Sequence, residues 1–314
     1  MKAALFNSYG DTGVLQIVDI PRPQITTDEI LVRVHAAAVN PKDTFIRKGY
    51  LKQFTGSDFP MLLGFDFSGE VVEVGSNVGS FQEGDSVYGM LDGWHGKTCA
   101  EYAAVTVNQA ALKPDALSFA EAAALPLASS TALQAFRDEA NISAGQGVCI
   151  NGASGGVGCA AVQIAKIYGA QVTAVSRAEN HDFLRKLGAD SCIDYRDIDI
   201  TKSDRKFDIF FDVFGNQRFE AIKPILSDSG IWVSTVIQPH VFGSVAATKF
   251  SSGRKAKLVI VKSSREDLDI ISGWVDSDQL KPIIHSVFPL EQIGDAHSQQ
   301  ETKHTRGKIV VLMS

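Results

Sequence analysis

The feature that most limits how this chain can fold lies near its middle, where Val148-Cys149-Ile150-Asn151 runs into Gly152-Ala153-Ser154-Gly155-Gly156-Val157-Gly158. An apolar run, a glycine-rich turn and then Ala161, Ile164, Ala165 and Tyr168 at helical spacing predict a strand, a tight turn and a helix over Val157–Tyr168. Such a turn lets a ligand approach the backbone at a helix N-terminus, where unpaired amides and the helix dipole favour a pyrophosphate. Ala153 stands where the dinucleotide fingerprint G-x-G-x-x-G has its first glycine, and its small side chain still permits the turn. The same residues also fit G-x-S-x-G, a strand–turn–helix device in which Ser154 would be a nucleophile, with Asp212 and His285 or His297 as partners. Against that serine hydrolase reading stand the long β-rich region ahead of the turn and the lack of a His-Gly-Gly stretch for an oxyanion hole.

Beyond the turn the pattern continues. Gln171–Val175, Ile209–Val213, Ile231–Val236 and Lys257–Val261 read as buried strands, separated by helical stretches such as Asn180–Leu187, which ends at Gly188. Short apolar strands alternating with amphipathic helices predict an α/β fold with a doubly wound parallel sheet. The region before the turn is different. Strand-like runs at Leu15–Ile20, Ile30–Ala36, Gly69–Val74, Ser86–Tyr88 and Tyr102–Val107 are broken by Gly, Pro, Asp and Asn, and Ser118-Phe119-Ala120-Glu121 is a capping box that opens a helix. After the parallel-sheet region the pattern is mixed again, with strands near Ile283–Val287 and Lys308–Leu312 and a helix from Leu290. The charged run Arg254-Lys255-Ala256-Lys257 reads as a solvated loop.

Composition excludes other classes. A net charge of −6 argues against a nucleic-acid or anionic-membrane surface, and the longest apolar stretches are strand-sized. The N-terminus reaches polar residues too early for a signal-peptide core, which gives a cytoplasmic expectation. Four widely spaced cysteines with no CxxC pair read as reduced thiols. None of the six tyrosines has Lys four residues later, so the Tyr-x-x-x-Lys pair of short-chain dehydrogenases is absent.

Gly64-Phe65-Asp66-Phe67-Ser68-Gly69-Glu70-Val71, then Val74-Gly75, Phe81-x-x-Gly84-Asp85-x-Val87, the upstream Ala36–Asp43 and the distal Gly307-Lys308-Ile309-Val310 together resemble the medium-chain dehydrogenase/reductase superfamily. The resemblance implies a GroES-like, β-rich catalytic domain from residues 1–118 and 264–314, with a Rossmann-like NADPH-binding domain over 119–263. In zinc alcohol dehydrogenases of that family the metal is held by a Cys before an Asp, a His-Glu pair and a later Cys. The matching positions here are Asn40, Phe65 with Asp66, and Leu127, and the four-cysteine lobe is missing, so no metal is expected. His35 and Asp66 are the two side chains a leftover site would draw on. Without a Lewis acid an alcohol is hard to oxidise, whereas hydride addition to a quinone or an enone yields a delocalised phenolate or enolate. The resemblance therefore points to the zinc-free quinone oxidoreductase and enone reductase branch.

The resemblance places Asn40 and Thr131 near the nicotinamide and its ribose; Asn40 reads equally as a turn residue before Pro41. Tyr50 is placed at the substrate site, either donating a proton to the developing oxyanion or walling the pocket. Ala153, Ser154, Gly155, Gly156, Val157 and Gly158 cradle the pyrophosphate. Ser176, twenty-one residues after Gly155, replaces the acidic residue of an NAD-selective fold, and Arg177 beside it supplies a cation for a 2′-phosphate. Tyr195 flanks that phosphate by resemblance, and Phe214 and Val236 follow later strands at their cofactor-facing ends. A homodimer is expected through the Lys257–Val261 edge. The competing function is an NADPH-binding sensor or structural module without catalysis.

Overall fold

The computed structural model describes residues 1–313. The chain divides into two compact units, one formed by Met1–Leu127 with the residues from Lys262 onward, the other by Ala128–Val261. The helix Phe119–Ala123 packs on the strands Glu29–Val39 and Asp66–Val74 of the first unit, so the unit boundary falls later than the 118/119 expected from the sequence. Its capping box forms as read, with Glu121 N–H donating to Ser118 Oγ at 3.3 Å and Ser118 N–H to Glu121 Oε2 at 2.9 Å.

The second unit is built on six parallel strands in the spatial order Ser191–Asp194, Gln171–Ser176, Gly147–Asn151, Phe207–Asp212, Leu226–Ser234 and Lys255–Leu258. Strand order runs outward in both directions from Gly147–Asn151, the doubly wound arrangement whose switch point lies between that strand and Phe207–Asp212. Phe207, Phe210, Phe219, Trp232 and Val241 belong to one core cluster. The sequence reading misses Ser191–Asp194, because Ser, Cys and Asp carry little strand propensity and only Ile193 offers an apolar anchor. It also misplaces the basic run as a loop. Lys255–Leu258 is the edge strand, Arg254 donates to Leu226 O and Ser227 O, and Lys257 pairs with Glu139 at 3.3 Å.

The first unit is mainly antiparallel. Seven strands form one sheet in which Lys308–Leu312 lies between Ile284–Pro289 and Glu29–Val39, followed by Asp66–Val74, Ser86–Met90 and Ala110–Leu112, with Tyr102–Thr106 also paired to Glu29–Val39. A smaller sheet joins Leu15–Asp19, Lys2–Phe6 and Met61–Leu62. Phe6, Phe65, Phe67, Val87 and Val311 are among the side chains of the shared core. Residues from far along the chain thus pair with early ones: Ile309 faces Val39 and Leu312 faces Ala36. The fold is the expected pairing of a GroES-like β-rich unit with a parallel doubly wound unit. Among the described residues no helix is long and apolar enough to cross a membrane.

The glycine turn shows why two of its positions differ in tolerance. A Cβ on Gly158 would stand 2.2 Å from Gly152 O and 2.6 Å from the Ala153 carbonyl, backbone atoms that cannot swing aside. On Gly155 it would meet only Gly152 O, at an ordinary 3.7 Å, with φ at −75°. Gly158→Ala is therefore expected to lower unfolding free energy by about 1–3 kcal/mol, and Gly155→Ala by less than about 0.5 kcal/mol, in urea titrations of the two variants.

Candidate functional site

The first unit places a buried polar cluster at the start of three elements. The strand Glu29–Val39 ends at Asn40, after which Pro41, well suited to a first helical turn, opens the helix Pro41–Arg47. Asp66 begins the strand Asp66–Val74 and Lys308 begins Lys308–Leu312. Asp66 is fully buried. Its Oδ1 accepts from Leu127 N–H at 2.7 Å, and its Oδ2 accepts from Asn40 Nδ2 and from Lys308 Nζ, both at 3.0 Å. Lys308 Nζ also donates to Asn40 Oδ1. Beside them Asp43 accepts from Asn40 N–H at 2.8 Å and Gly64 N–H at 3.0 Å; burial pushes its carboxyl up to about 6.

The positions that match the metal ligands of zinc relatives, residues 40, 65–66 and 127, are thus brought together, but their chemistry is that of an internal ion pair. Asn40 offers a weak amide, Phe65 a ring and Leu127 only a backbone N–H. Among the described residues no group of three His, Cys, Asp or Glu side chains is placed to hold a metal ion. His35 stacks on Phe119, with ring centroids 4.3 Å apart, and burial holds its imidazole below the ordinary value. All four cysteines are free thiols.

Asn40 is only 1 % exposed, and both its amide N–H groups are used, one by Asp66 and one by Ala38 O at 3.2 Å. With Lys308 on Oδ1, that oxygen keeps one lone pair, so Asn40 can accept a further hydrogen bond but not donate one. Tyr50 is different: it follows the same helix and is 67 % exposed, its ring tilted against Phe45 at 6.1 Å. Lys42, which the sequence reading passed over, sits with Nζ 3.7 Å from the Phe65 ring centroid, and burial lowers the basicity of its amine.

In the second unit the remaining sequence-predicted residues gather at the carboxyl ends of neighbouring strands. Ala153–Gly158 follow Gly147–Asn151, Ser176 ends Gln171–Ser176 with Arg177 after it, Tyr195 follows Ser191–Asp194, Phe214 follows Phe207–Asp212, and Val236 follows Leu226–Ser234. Gly152 has φ +86°, and its amide and that of Ala153 donate to Val175 O, which folds the turn back over the neighbouring strand. Gly155 caps the helix Gly156–Ile167 without a side chain, leaving the first amides of that helix without a side-chain acceptor. A side chain at Gly158 would strike the Gly152 and Ala153 carbonyls, so this glycine lets the helix start close against the turn. Thr131 lies in the helix Pro126–Gln134 and is 5 % exposed; the neighbouring Ser129 and Ser130 hydroxyls are buried with no partner among the described residues.

Arg177 Nε donates to Tyr195 Oη at 2.9 Å, which ties the two residues expected to flank a 2′-phosphate. Ser176 is buried and donates to the carbonyl of Arg177. Here too a residue escaped the sequence reading. Asp194 lies opposite Ser176 in register, where its charge would disfavour a phosphate, but Arg196 grips it at 2.6 Å and Ala178 N–H donates to it at 2.7 Å. Those bonds, led by the Arg196 side chain, hold the carboxyl well below the usual range. The signal was legible only with the strand Ser191–Asp194 in place.

The serine-hydrolase partners are otherwise engaged. Asp212 accepts from Asn151 Nδ2 at 2.7 Å, Gly215 N–H at 2.9 Å and Gln217 N–H at 3.0 Å. His297, in the first unit, is fully buried and accepts from Arg47 Nε at 3.4 Å; desolvation, with Arg47 adding to it, pulls its imidazole down to about 3.

The Lys308–Asp66 pair gives a direct test of the cluster. Lys308→Met leaves Asp66 buried without a counter-charge, which is expected to cost about 3–5 kcal/mol of stability in denaturant titrations. Adding Asp66→Asn removes the orphaned charge and should recover part of that loss, a coupling visible in a double-mutant cycle.

Comparison with known proteins agrees with this fold. Residues 26–127 match the family described as alcohol dehydrogenase GroES-like domain, and residues 187–311 the family described as zinc-binding dehydrogenase. The chain is 34 % identical over 322 residues to the chloroplast envelope quinone oxidoreductase homolog of Arabidopsis thaliana, covering 99 % of this chain and 98 % of that one. It is 36 % identical over 323 residues to the chloroplastic NADPH-dependent alkenal/one oxidoreductase of the same plant, covering 99 % of this chain and 79 % of that one. Among solved structures, the quinone oxidoreductase from Coxiella burnetii superposes with a TM-score of 0.92 at 34 % identity, covering 100 % of this chain and 99 % of that one. Sequence, topology and relatives together make this chain an oxidoreductase of the medium-chain dehydrogenase/reductase family, on its quinone oxidoreductase-like branch.

Proposed function

We propose that the protein is a zinc-independent reductase that passes a hydride from NADPH to a quinone or to the carbon–carbon double bond of an enone. The observation that carries this reading is the Asn40–Asp66–Lys308 cluster. Where zinc relatives hold a Lewis acid, this chain spends its polar groups on one another. An acceptor whose product anion is already delocalised fits such a site, because it asks for hydrogen-bond donors and positioning rather than a metal.

Bound at the glycine turn, NADPH supplies the hydride. The chain's own part begins with the amides of the helix Gly156–Ile167, which take the pyrophosphate at a positive helix end. Arg177 and Tyr195 receive the 2′-phosphate, with Arg196 keeping Asp194 from repelling it. Phe214 and Val236 wall the same rim. Asn40 accepts from the nicotinamide side and Thr131 from the ribose, while Tyr50, exposed and unshielded, serves better as a wall than as a tuned proton donor. The edge strand Lys255–Leu258 is paired on one side only within the chain, which supports a homodimer across that edge. Light scattering that gives a monomer mass at working concentrations would remove the dimer from this reading.

Two measurements test the cofactor and the metal. Arg177→Ala deletes charge-assisted bonds each worth about 1.5–3 kcal/mol, so kcat/KM with NADPH should fall roughly ten- to a hundredfold and with NADH hardly at all. Equal losses with both cofactors would count against Arg177 as the selector. Activity should persist after exhaustive dialysis against a chelator, with no stoichiometric zinc by elemental analysis; activity that dies on chelation and returns with zinc would overturn metal independence.

A further inference from the structure

In the first unit, Lys42 is a cation that no carboxylate among the described residues neutralises by contact. It lies in the first turn of the helix Pro41–Arg47 and is half-buried. Its Nζ stands 3.7 Å from the Phe65 ring centroid and 5.2 Å from that of Trp94, and donates to Gly93 O, its one hydrogen-bond acceptor among the described residues. The acidic groups that bear on it are already committed: Asp66 to Lys308, Asn40 and Leu127, Asp43 to the amides of Asn40 and Gly64, and Asp92 to Ser263 N–H at 2.6 Å. An ammonium has three donors, so two remain for a ligand. The flat surface beside it is also built, since Phe54, 41 % exposed, stacks on Trp94 with centroids 4.6 Å apart and planes 14° off parallel.

We propose that Lys42 is a catalytic residue that binds the oxygen of the acceptor as it becomes an anion, with the Phe54–Trp94 stack receiving the acceptor's flat conjugated body. The proposal rests on the reductase reading above and names the electrophile that reading lacks. Phe65 occupies a position that matches a metal ligand in zinc relatives, and here its face carries Lys42 instead of a ligand atom. A cation–π contact holds the ammonium without consuming its hydrogen bonds. With an enone, the hydride forms a C–H bond at the β carbon, the π pair of the double bond moves through the α carbon onto the carbonyl oxygen, and Lys42 N–H groups hold that enolate oxygen. A proton from water then completes the α carbon, leaving a saturated ketone and oxidised cofactor.

The test uses the full chain loaded with NADP⁺ and 4-nitrophenolate as a flat oxyanion probe, followed by its absorption shift, alongside steady-state reduction of an enone. Lys42→Met and Lys42→Gln, the second keeping an N–H for Gly93 O, should each weaken probe binding at least roughly tenfold and lower kcat by roughly a hundredfold. KM for NADPH should not move, and Lys42→Arg should restore most of both losses. Thermal unfolding confirms that each variant compared is folded. Probe binding or kcat in folded Lys42→Gln equal to wild type would overturn the proposal. So would parallel loss of NADPH affinity that Lys42→Arg fails to rescue. If the wild type binds the probe through Lys42 yet reduces no quinone or enone, the anion site stands and the reductase reading falls.

Discussion

A carboxylate withdrawn from water loses several kcal/mol of solvation unless charge and hydrogen bonds replace it. Asp66 is withdrawn completely, and its replacement comes from chain segments that are remote in sequence: an amide side chain at residue 40, a backbone N–H at 127 and an ammonium at 308. Each donor arrives on a different element, so Asp66 is satisfied only when the strand Glu29–Val39, the strand Lys308–Leu312 and the start of the helix Pro126–Gln134 are all in place. The pairing of Lys308–Leu312 with Ala36–Val39 is then more than sheet hydrogen bonding, because it delivers the counter-charge. The same requirement explains why the amide of Asn40 is fixed: a flipped Asn40 would set N–H against ammonium and oxygen against carboxylate.

Much of this was legible in the sequence, and the gaps have physical causes. The parallel-sheet strands announce themselves because both faces are buried and their apolar runs are nearly unbroken. The glycine turn reads clearly because close backbone approach forces residue type, as the Gly158 contact with Gly152 O shows. Asn40, Asp66 and Leu127 could be aligned as a vacated ligand set from the resemblance. What filled the vacancy could not, since Lys308 is 268 positions from Asn40 and a lysine opening a strand does not say which carboxylate it will meet. Lys42 and Asp194 were missed for a related reason: their meaning lies in neighbours across a sheet or under a ring, which no periodicity encodes. The short strands Met61–Leu62 and Ala110–Leu112 were missed because two or three residues give no alternation to read.

The nucleotide-binding end and the polar cluster handle charge in opposite ways. At the strand ends of the second unit the acid Asp194 is buried, and the arginine that cancels it, Arg196, is half in water. In the first unit the acid is sealed and an equally sealed lysine cancels it. A pair with one partner in water exchanges with solvent ions more readily than a pair sealed on both sides. Salt should therefore act on the cofactor rim far more than on the cluster around Asp66.

The late strand also sets an order of events during synthesis. The second unit is a continuous stretch, Ala128–Val261, and all six strands of its sheet exist once residue 261 has left the ribosome. The first unit is interrupted by it: the strand Glu29–Val39 is made early but must keep one flank open until Lys308–Leu312 emerges. Until then Asp66 has no ammonium and Asn40 no fixed orientation. A nascent chain can therefore complete its dinucleotide-binding sheet long before it completes the site around Asp66, and truncated products of translation lack the element that finishes that site.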